Sequence, residues 1–469
     1  MNQASTNASQ KQSKGVSATV AKAQPPGLYL LFATEMWERF SFYTMRALLV
    51  LYMTHATLEG GLGFSEGSAL KIYSYYLGIA YITPVLGGIL ADGFMGAYRS
   101  ALLGGLLMAI GHGLMAVKDN YYFFAALLLV ALGNGFFKPN LTAILGRLYD
   151  ERDSRRDGGY AIFYMGINIG GVLSGVCAGM LRNLYGFEAG FAAAAFAMVL
   201  SLIIFATLAA QFLPASVRQV EPAVLKTKRA ALSKGAWNRI NVLIILNAAL
   251  AVFVIAFEQI GGLLNLFAQN FVDRRFSLFG WPALDWNIPT EFFQSLNPLF
   301  IVIFSPLISL LWVRMGDKNP FYSTKVVGGL VITSLSWIVM LMIVPTVMDA
   351  NTSIHWGWLV LQYAMTTLGE LCIIPVVWSC VSALAPRGYA STLMAGSMIA
   401  VGVGSYLSGQ IGALGIEGIQ SVDFSGCDAV GLNMAGCKRV FALLGFLPAV
   451  AALLLAGMTT KLQEWSGGR

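Results

Sequence analysis

Twelve apolar runs, each long enough to cross about 30 Å of hydrocarbon, recur along the 469-residue chain. They fall near 28–55, 70–91, 98–117, 121–145, 158–182 and 189–212. After a polar connection, six more lie near 238–271, 292–313, 325–347, 355–384, 389–414 and 437–460. Unbroken apolar runs of about 20 residues predict helices, whereas a barrel would alternate in strands of about 10. Composition points the same way, with 57% AVILMFWYC and only 11% charged residues, against about 25% charged in soluble domains. Such a chain cannot cover its own surface in water, which excludes soluble globular, disordered, coiled-coil, collagenous and disulfide-scaffold proteins. An all-α membrane protein in a lipid bilayer is expected.

Twelve spans place both termini on one side. Of the 30 Lys and Arg residues, twenty fall on the terminal side, seven on the opposite side and three inside spans, so the positive-inside rule makes the termini cytoplasmic. The net charge of +7 comes from these loops and tails, and no nucleic-acid partner is expected. Residues 1–27 read as a disordered cytoplasmic tail, since no short apolar core follows Lys11, Lys14 and Lys22 to make a signal peptide. The basic segment 213–237 reads as a cytoplasmic linker between two six-helix bundles, 28–212 and 238–460, with 461–469 a cytoplasmic tail. A six-plus-six plan fits carriers whose halves rock about a midplane site.

Seven ionisable residues fall inside spans: Glu35, Glu38, Arg39, Arg46, Lys138, Glu258 and Glu370. At roughly 2.5–3.5 kcal/mol each at a helix centre, they must face one another or a wet cavity. At 100° per residue the four in the first span share a sector about 100° wide, with Tyr43 on its edge. Glu258, Asn265 and Gln269 share a face of the seventh span, and Gln362, Thr366 and Glu370 repeat every four residues in the tenth. Four acids against three bases leave one carboxylate without a permanent partner. An unpaired carboxylate in a low dielectric holds its proton more tightly, a physical basis for proton coupling.

Pro139 and Pro375 should loosen or bend the fourth and tenth helices. Gly166, Gly170, Gly171, Gly175 and Gly179 permit close helix contact. His55, His112 and His355 do not cluster, so no metal site is expected. Cys427 and Cys437 share one external loop and could form a bridge or stay as thiols. No P-loop or nucleophile elbow is present, so neither ATP drive, a cofactor nor an enzymatic activity is expected.

Glu35-Met-Trp-Glu38-Arg39-Phe40-Ser41-Phe42-Tyr43 resembles the ExxERFxxY signature of the proton-dependent oligopeptide transporter family. Phe163-Tyr164-Met-Gly-Ile-Asn168-Ile-Gly170 resembles that family's FYxxINxG motif. The stretch from Gly87 through Asp92 to Arg99 is similar to a loop found throughout the major facilitator superfamily. Gly133-Asn134-Gly135 through Lys138-Pro139-Asn140, and Gly369-Glu370-Leu371 through Pro375, match in order. The resemblance covers residues 28–460. Phe257 stands where some relatives carry a second acid beside Glu258.

The resemblance implies the major facilitator fold and symport of di- and tripeptides with protons across a bacterial inner membrane, with a monomer expected. Carried over residue by residue, Arg46 and Lys138 would bind the peptide carboxylate and Glu370 its amino terminus. Tyr43, Tyr81, Asn168 and Asn297 would contact the peptide backbone. Glu35, Glu38 and Arg39, with Lys138 and Glu258, would carry or relay the proton, and Glu258 would pair with Arg46 in one state of the cycle. A carrier of another solute, such as nitrate or an amino acid conjugate, is the nearest alternative, and a non-transporting sensor or channel a more distant one.

Overall fold

The structure is a computed structural model in which residues 23–117, 120–150, 153, 155–218, 232–276, 286–344, 353–386, 389–417 and 434–467 are described. The first half is built from α1 (Pro26–Thr54), α2 (Glu66–Leu90), α3 (Gly96–Met115), α4 (Asn120–Gly146), α5 (Arg156–Tyr185) and α6 (Phe187–Phe212). A single helical turn, α7 (Ala215–Arg218), follows. The second half contains α8 (Lys234–Phe257), α9 (Leu263–Phe271), α10 (Leu296–Met315), α11 (Tyr322–Ile343), α12 (Gly357–Leu384), α13 (Ala390–Glu417) and α14 (Met434–Ser466).

Among the described residues, ten stretches are long and apolar enough to cross a membrane. One of them, Glu66–Met115, holds both α2 and α3, and α1, which carries four charges, completes the twelve. The helices form the two six-helix bundles of the major facilitator fold. Local chemistry sets several ends. Ser65 caps α2 by accepting from the Ser68 N–H at 3.3 Å, and Ser233 caps α8 by accepting from Ala236 at 3.2 Å. Gly186, at φ 88°, makes the sharp corner between α5 and α6.

Several boundaries differ from the sequence-based expectation. The first helix starts at Pro26 because a proline at its first position loses no hydrogen bond, and residues 1–22 of the expected tail lie outside the described residues. The expected linker is helical at Ala215–Arg218 and again from Lys234, while 219–231 lie outside them. Instead of ending at 460, α14 runs on to Ser466. Both Pro139 and Pro375 sit within helices that continue past them.

The seventh span is not one helix. Glu258–Ile260 form a 3-10 turn, Gly261 and Gly262 interrupt the helix, and α9 resumes at Leu263. The break interrupts the helix that was expected to carry Glu258, Asn265 and Gln269 on one face, yet Glu258 and Asn265 both still reach α1, at Arg46 and at the Ala47 carbonyl (3.2 Å), while Gln269 accepts from Thr290 at 2.6 Å. Short strands also stand outside the spans. β1 (Val272–Asp273) pairs in parallel with β4 (Ile354–His355), and β2 (Arg275–Phe276) pairs antiparallel with β3 (Trp286–Asn287).

Within the first half α1 packs on α5 and α6, and α4 on α2 and α3; in the second, α12 and α14 pack on α11, and α13 on α8. An aromatic core closes the first half at Tyr52, whose ring meets Phe191 edge-on at 5.0 Å. Leu453 and Leu454 on α14 stand 74% and 66% exposed, which suits acyl chains and not water. The two halves meet where α2 packs on α13 and where α5 packs on α10 and the 3-10 segment Thr290–Ser295 before it.

Glycines make those contacts close. On α5, Gly166 and Gly170 face α1 at Phe32 and at the Met36 carbonyl, while Gly171, Gly175 and Gly179 face Pro298, Ser295 and Pro289 of the other half. Gly402 and Gly409 of α13 meet Gly78 and Ser74 of α2. Many of these contacts lie toward the ends of the helices remote from the chain termini, so the interface is closed on that distal side.

Candidate functional site

Three polar clusters occupy the middle of the bundle, each anchored on a different pair of helices. In the first, Arg39 lies against both acids of its own helix. Its guanidinium grips the Glu38 carboxylate with two nitrogens and stands 3.3 Å from Glu35 Oε1. Glu35 lies one turn before Arg39 on the same face of α1 (i, i+4), and the long guanidinium reaches round to its neighbour Glu38. Arg39 Nη2 also donates to Asn134 Oδ1 on α4 at 3.2 Å, and Asn134 Nδ2 donates to the Ala80 carbonyl of α2 at 3.0 Å. All three charged side chains are buried. Glu35 Oε2 has no hydrogen-bond partner among the described residues.

Lys138 lies on α4 within electrostatic range of Arg39, Glu35 and Glu38. No described carboxylate comes within the 4.0 Å that would make an ion pair with it. It is half-buried.

The second cluster joins the two halves. Arg46 Nη2 donates to Glu258 Oε2 at 2.5 Å, and Arg46 Nε donates to Tyr73 Oη at 2.8 Å. The Tyr81 hydroxyl donates to Glu258 Oε1 at 3.3 Å. The break in the seventh span is what allows this meeting. A Cβ on Gly261 would stand 2.0 Å from Tyr73 Oη and 3.0 Å from Arg46 Nε, so only glycine fits there.

Each residue of the broken turn is held by a different element. Glu258 meets α1 and α2, the Gln259 amide donates to the Ser408 carbonyl of α13 at 2.7 Å, and the Ile260 carbonyl accepts from Gln294 at 2.6 Å. Of these bonds, the one from Gln294 satisfies a backbone carbonyl that the interrupted helix leaves open.

The third cluster belongs to the second half. Asn297 Nδ2 donates to Glu370 Oε2 at 2.7 Å and to Thr367 Oγ1 at 3.0 Å. Among the described residues Glu370 has no cation within ion-pair distance. Pro298 follows Asn297, so this asparagine sits in the first turn of α10, where a proline costs little.

Tyr43, Arg46, Phe257, Ile260, Gln294, Asn297 and Pro298 line one cavity between the halves. Tyr43 is within electrostatic range of Arg39, Arg46 and Glu370, and so stands between all three clusters. Asn168 is placed differently. It is buried on α5, and its amide donates to the Tyr164 carbonyl of its own helix at 2.9 Å.

Several participants were missed in the sequence. Tyr73 and Gln294 carry no motif signal, since a single tyrosine or glutamine in an apolar run is ordinary. Asn134 lies within the Gly133–Asn140 stretch but had been given no role. A further pair lies nearer the distal end: Arg182 Nε of α5 is 2.6 Å from Glu291 Oε1 in the 3-10 segment of the other half, and Glu291 is completely buried. The Arg182 N–H does not point at the oxygen and both Glu291 oxygens lack a hydrogen bond, so the attraction is one of charge. In the sequence Glu291 falls one residue before the eighth apolar run, 292–313. The pair adds one charge of each sign, so the excess of one buried carboxylate is unchanged. Cys437 is buried at the start of α14, while Cys427 lies outside the described residues.

The chain matches the profile of the POT family over residues 98–212 and 207–418. It is 33% identical to an uncharacterized transporter, YclF, of Bacillus subtilis (strain 168), with 79% of this chain and 84% of that protein covered. It is 31% identical to a di-/tripeptide transporter of Lactococcus lactis subsp. cremoris, covering 83% and 89%. A crystal structure of a mutant peptide transporter POT with alafosfalin superposes with a TM-score of 0.83 at 29% identity, covering 94% of this chain and 96% of that one. A POT family transporter in complex with 5-aminolevulinic acid gives 0.84 at 27% identity, covering 93% and 97%. Twelve helices in two bundles, buried charges shared between them and these likenesses place the chain among the multi-pass membrane transporters, and it belongs to the POT family, the proton-dependent oligopeptide transporters.

Proposed function

We propose that this protein is a proton-coupled symporter of di- and tripeptides, working by alternating access in a bacterial inner membrane with both termini cytoplasmic. The observation that carries this reading is the pair of charges left without ion-pair partners among the described residues, Lys138 on α4 and Glu370 on α12. They have opposite sign and lie in opposite halves, the arrangement a zwitterion needs in order to draw the halves together. Arg46 and Lys138 bind the peptide carboxylate, and Glu370, steadied by Asn297, binds the amino terminus. Tyr43, Tyr81, Asn168 and Asn297 contact the main chain, which every peptide shares.

Glu258 and the Glu35/Glu38/Arg39 group, together with Lys138, handle the proton. A neutral Glu258 releases Arg46 to the substrate; an ionised one recaptures it. One proton moved through 100 mV is worth about 2.3 kcal/mol, which sustains roughly fifty-fold accumulation. Every residue in this scheme belongs to one chain, so the reading needs no more than a monomer.

Proteoliposomes loaded at one pH and diluted into another test the reading with labelled dialanine. Accumulation only under the imposed proton gradient is expected; equal uptake without it removes the coupling. A second reading, a carrier of another small solute, draws support from the family neighbour bound to 5-aminolevulinic acid, which also has an amine and a carboxylate. Failure of unlabelled dialanine to be taken up while that acid is accumulated favours it.

A further inference from the structure

Away from the central cavity, an open groove lies between α10 and α11, which both pack on α12. Leu371, Pro375 and Val376 of α12 line it. These residues are turned about 100°, 140° and 240° around the helix from Glu370, so the groove is on another face of α12 from the one that carries the proposed substrate site. Its rim is formed by Trp312, three residues before the end of α10, and by Tyr322 and Lys325 in the first turn of α11. These helix ends lie on the same side as the chain termini, so the rim sits at one membrane–water boundary. Ile308 lines the groove one turn deeper, about 6 Å further in.

Lys325 Nζ rests 4.7 Å from the centre of the Trp312 ring. Among the described residues no carboxylate comes within ion-pair distance of it. An ammonium has three donors and the ring face uses at most one, so N–H groups stay available to an anion. Below this cation lies a wall in which Ile308, Leu371, Pro375 and Val376 alternate with the small side chains of Ser305, Ser309 and Ser379; beside it are a tryptophan and a tyrosine, the residue types that settle at headgroup depth. A soluble anion has no use for the wall, and an apolar tail has no use for the ammonium. A molecule with a phosphate above and an acyl chain below satisfies both.

We propose that this groove binds an anionic phospholipid of the leaflet on the terminal side. Its phosphodiester meets Lys325 and the Tyr322 hydroxyl, and one acyl chain lies over Ile308, Leu371 and Val376. Charge complementarity selects the anionic class, because the rim offers a cation and no described carboxylate partner for the ammonium of a zwitterionic headgroup. Leu371 follows Glu370 directly in the chain, so an occupied groove braces α12 beside the central site. This inference stands independently of which solute is carried.

The test is thermal unfolding of the full chain, purified in neutral detergent and titrated separately with phosphatidylglycerol, phosphatidylcholine and inorganic phosphate. Phosphatidylglycerol is expected to raise the unfolding temperature and the other two to leave it in place. Lys325→Gln is expected to lose more than half of that rise, and Lys325→Arg to keep it. An undiminished rise in Lys325→Gln overturns the site. An equal rise with phosphatidylcholine overturns the charge selection, and an equal rise with phosphate alone overturns the lipid in favour of a free anion. Native mass spectrometry of the wild-type chain reads the same point without a variant: preferential retention of phosphatidylglycerol supports the proposal, and equal retention of both lipids overturns it.

Discussion

Arg46 of α1 and Glu258 of the seventh span meet at 2.5 Å across the boundary between the halves, both side chains buried. Neither charge has water to fall back on. Removing one partner of such a buried pair costs about 3–5 kcal/mol, so each state of the protein has to supply Arg46 with either this carboxylate or another.

Glu258→Gln keeps the shape and removes the charge. Proton-driven accumulation of dialanine is expected to fall to background, while exchange of internal for external peptide at equal pH persists. Retained accumulation under a gradient takes Glu258 out of the coupling. A control lies outside the spans, at Asp273. Hydrogen bonds from the Arg275 side chain and backbone hold its carboxyl down to about 2. A carboxyl depressed in this way keeps its interaction above the ordinary carboxylate range and loses it only as pH falls toward that value. The uptake–pH curve of Asp273→Asn is therefore expected to overlie that of wild type between about pH 5 and 8.

Lys138→Ala breaks no ion pair among the described residues. Its unfolding temperature is expected to stay near that of wild type while peptide uptake is lost. Measured together, the two separate a functional cation from a structural one; uptake at the wild-type rate excludes Lys138 from the site.

Glu370→Ala removes the proposed partner of the peptide amine. A lost charge-assisted bond is worth about 1.5–3 kcal/mol, or roughly ten- to hundred-fold in affinity. Free dialanine is expected to weaken by that factor and its N-acetylated form far less. Competition assays with both peptides decide it, and equal weakening breaks the assignment.

Gly175→Ala places a Cβ 2.4 Å from Ser295 Oγ and 2.6 Å from the Glu291 carbonyl. Overpacking of this kind costs about 1–3 kcal/mol, here charged only to the arrangement closed on the distal side. Spin-label distances across the distal ends of α5 and α10 are expected to lengthen. Gly113→Ala meets no atom within 4 Å and is expected to leave them unchanged.

Arg182→Ala leaves Glu291 buried with its attraction to Arg182 gone. A loss of stability of about 3 kcal/mol is expected, and the double variant Arg182→Ala/Glu291→Gln is expected to recover part of it. Chemical denaturation of both variants checks the order; a double variant no better than the single one shows that Glu291 was not the group left stranded.

How much of this was legible in the chain differs from residue to residue. Glu35 and Arg39 stand one turn apart on one helix, so spacing alone brings them together, with Glu38 within reach beside them. The pairing of Arg46 with Glu258 bridges 212 positions of sequence, and the motif resemblance, not the spacing, suggested it. The break in the seventh span was not legible, because Gly261 and Gly262 read in sequence as two more small residues in an apolar run. In space Gly261 is where Tyr73 and Arg46 come too close for a Cβ.

The number of spans, their helical nature and the need for buried charges to find one another follow from sequence by itself. Insertion into lipid is decided over local windows of about 20 residues, each of which must satisfy its own backbone. Tertiary structure alone decided that Glu291 is buried against Arg182, that Gln294 holds the carbonyl freed at Ile260, and that Lys138 and Glu370 are left without ion-pair partners among the described residues. Those outcomes depend on which helices approach one another closely enough for one side chain to satisfy another, and glycines far apart in the chain set that distance.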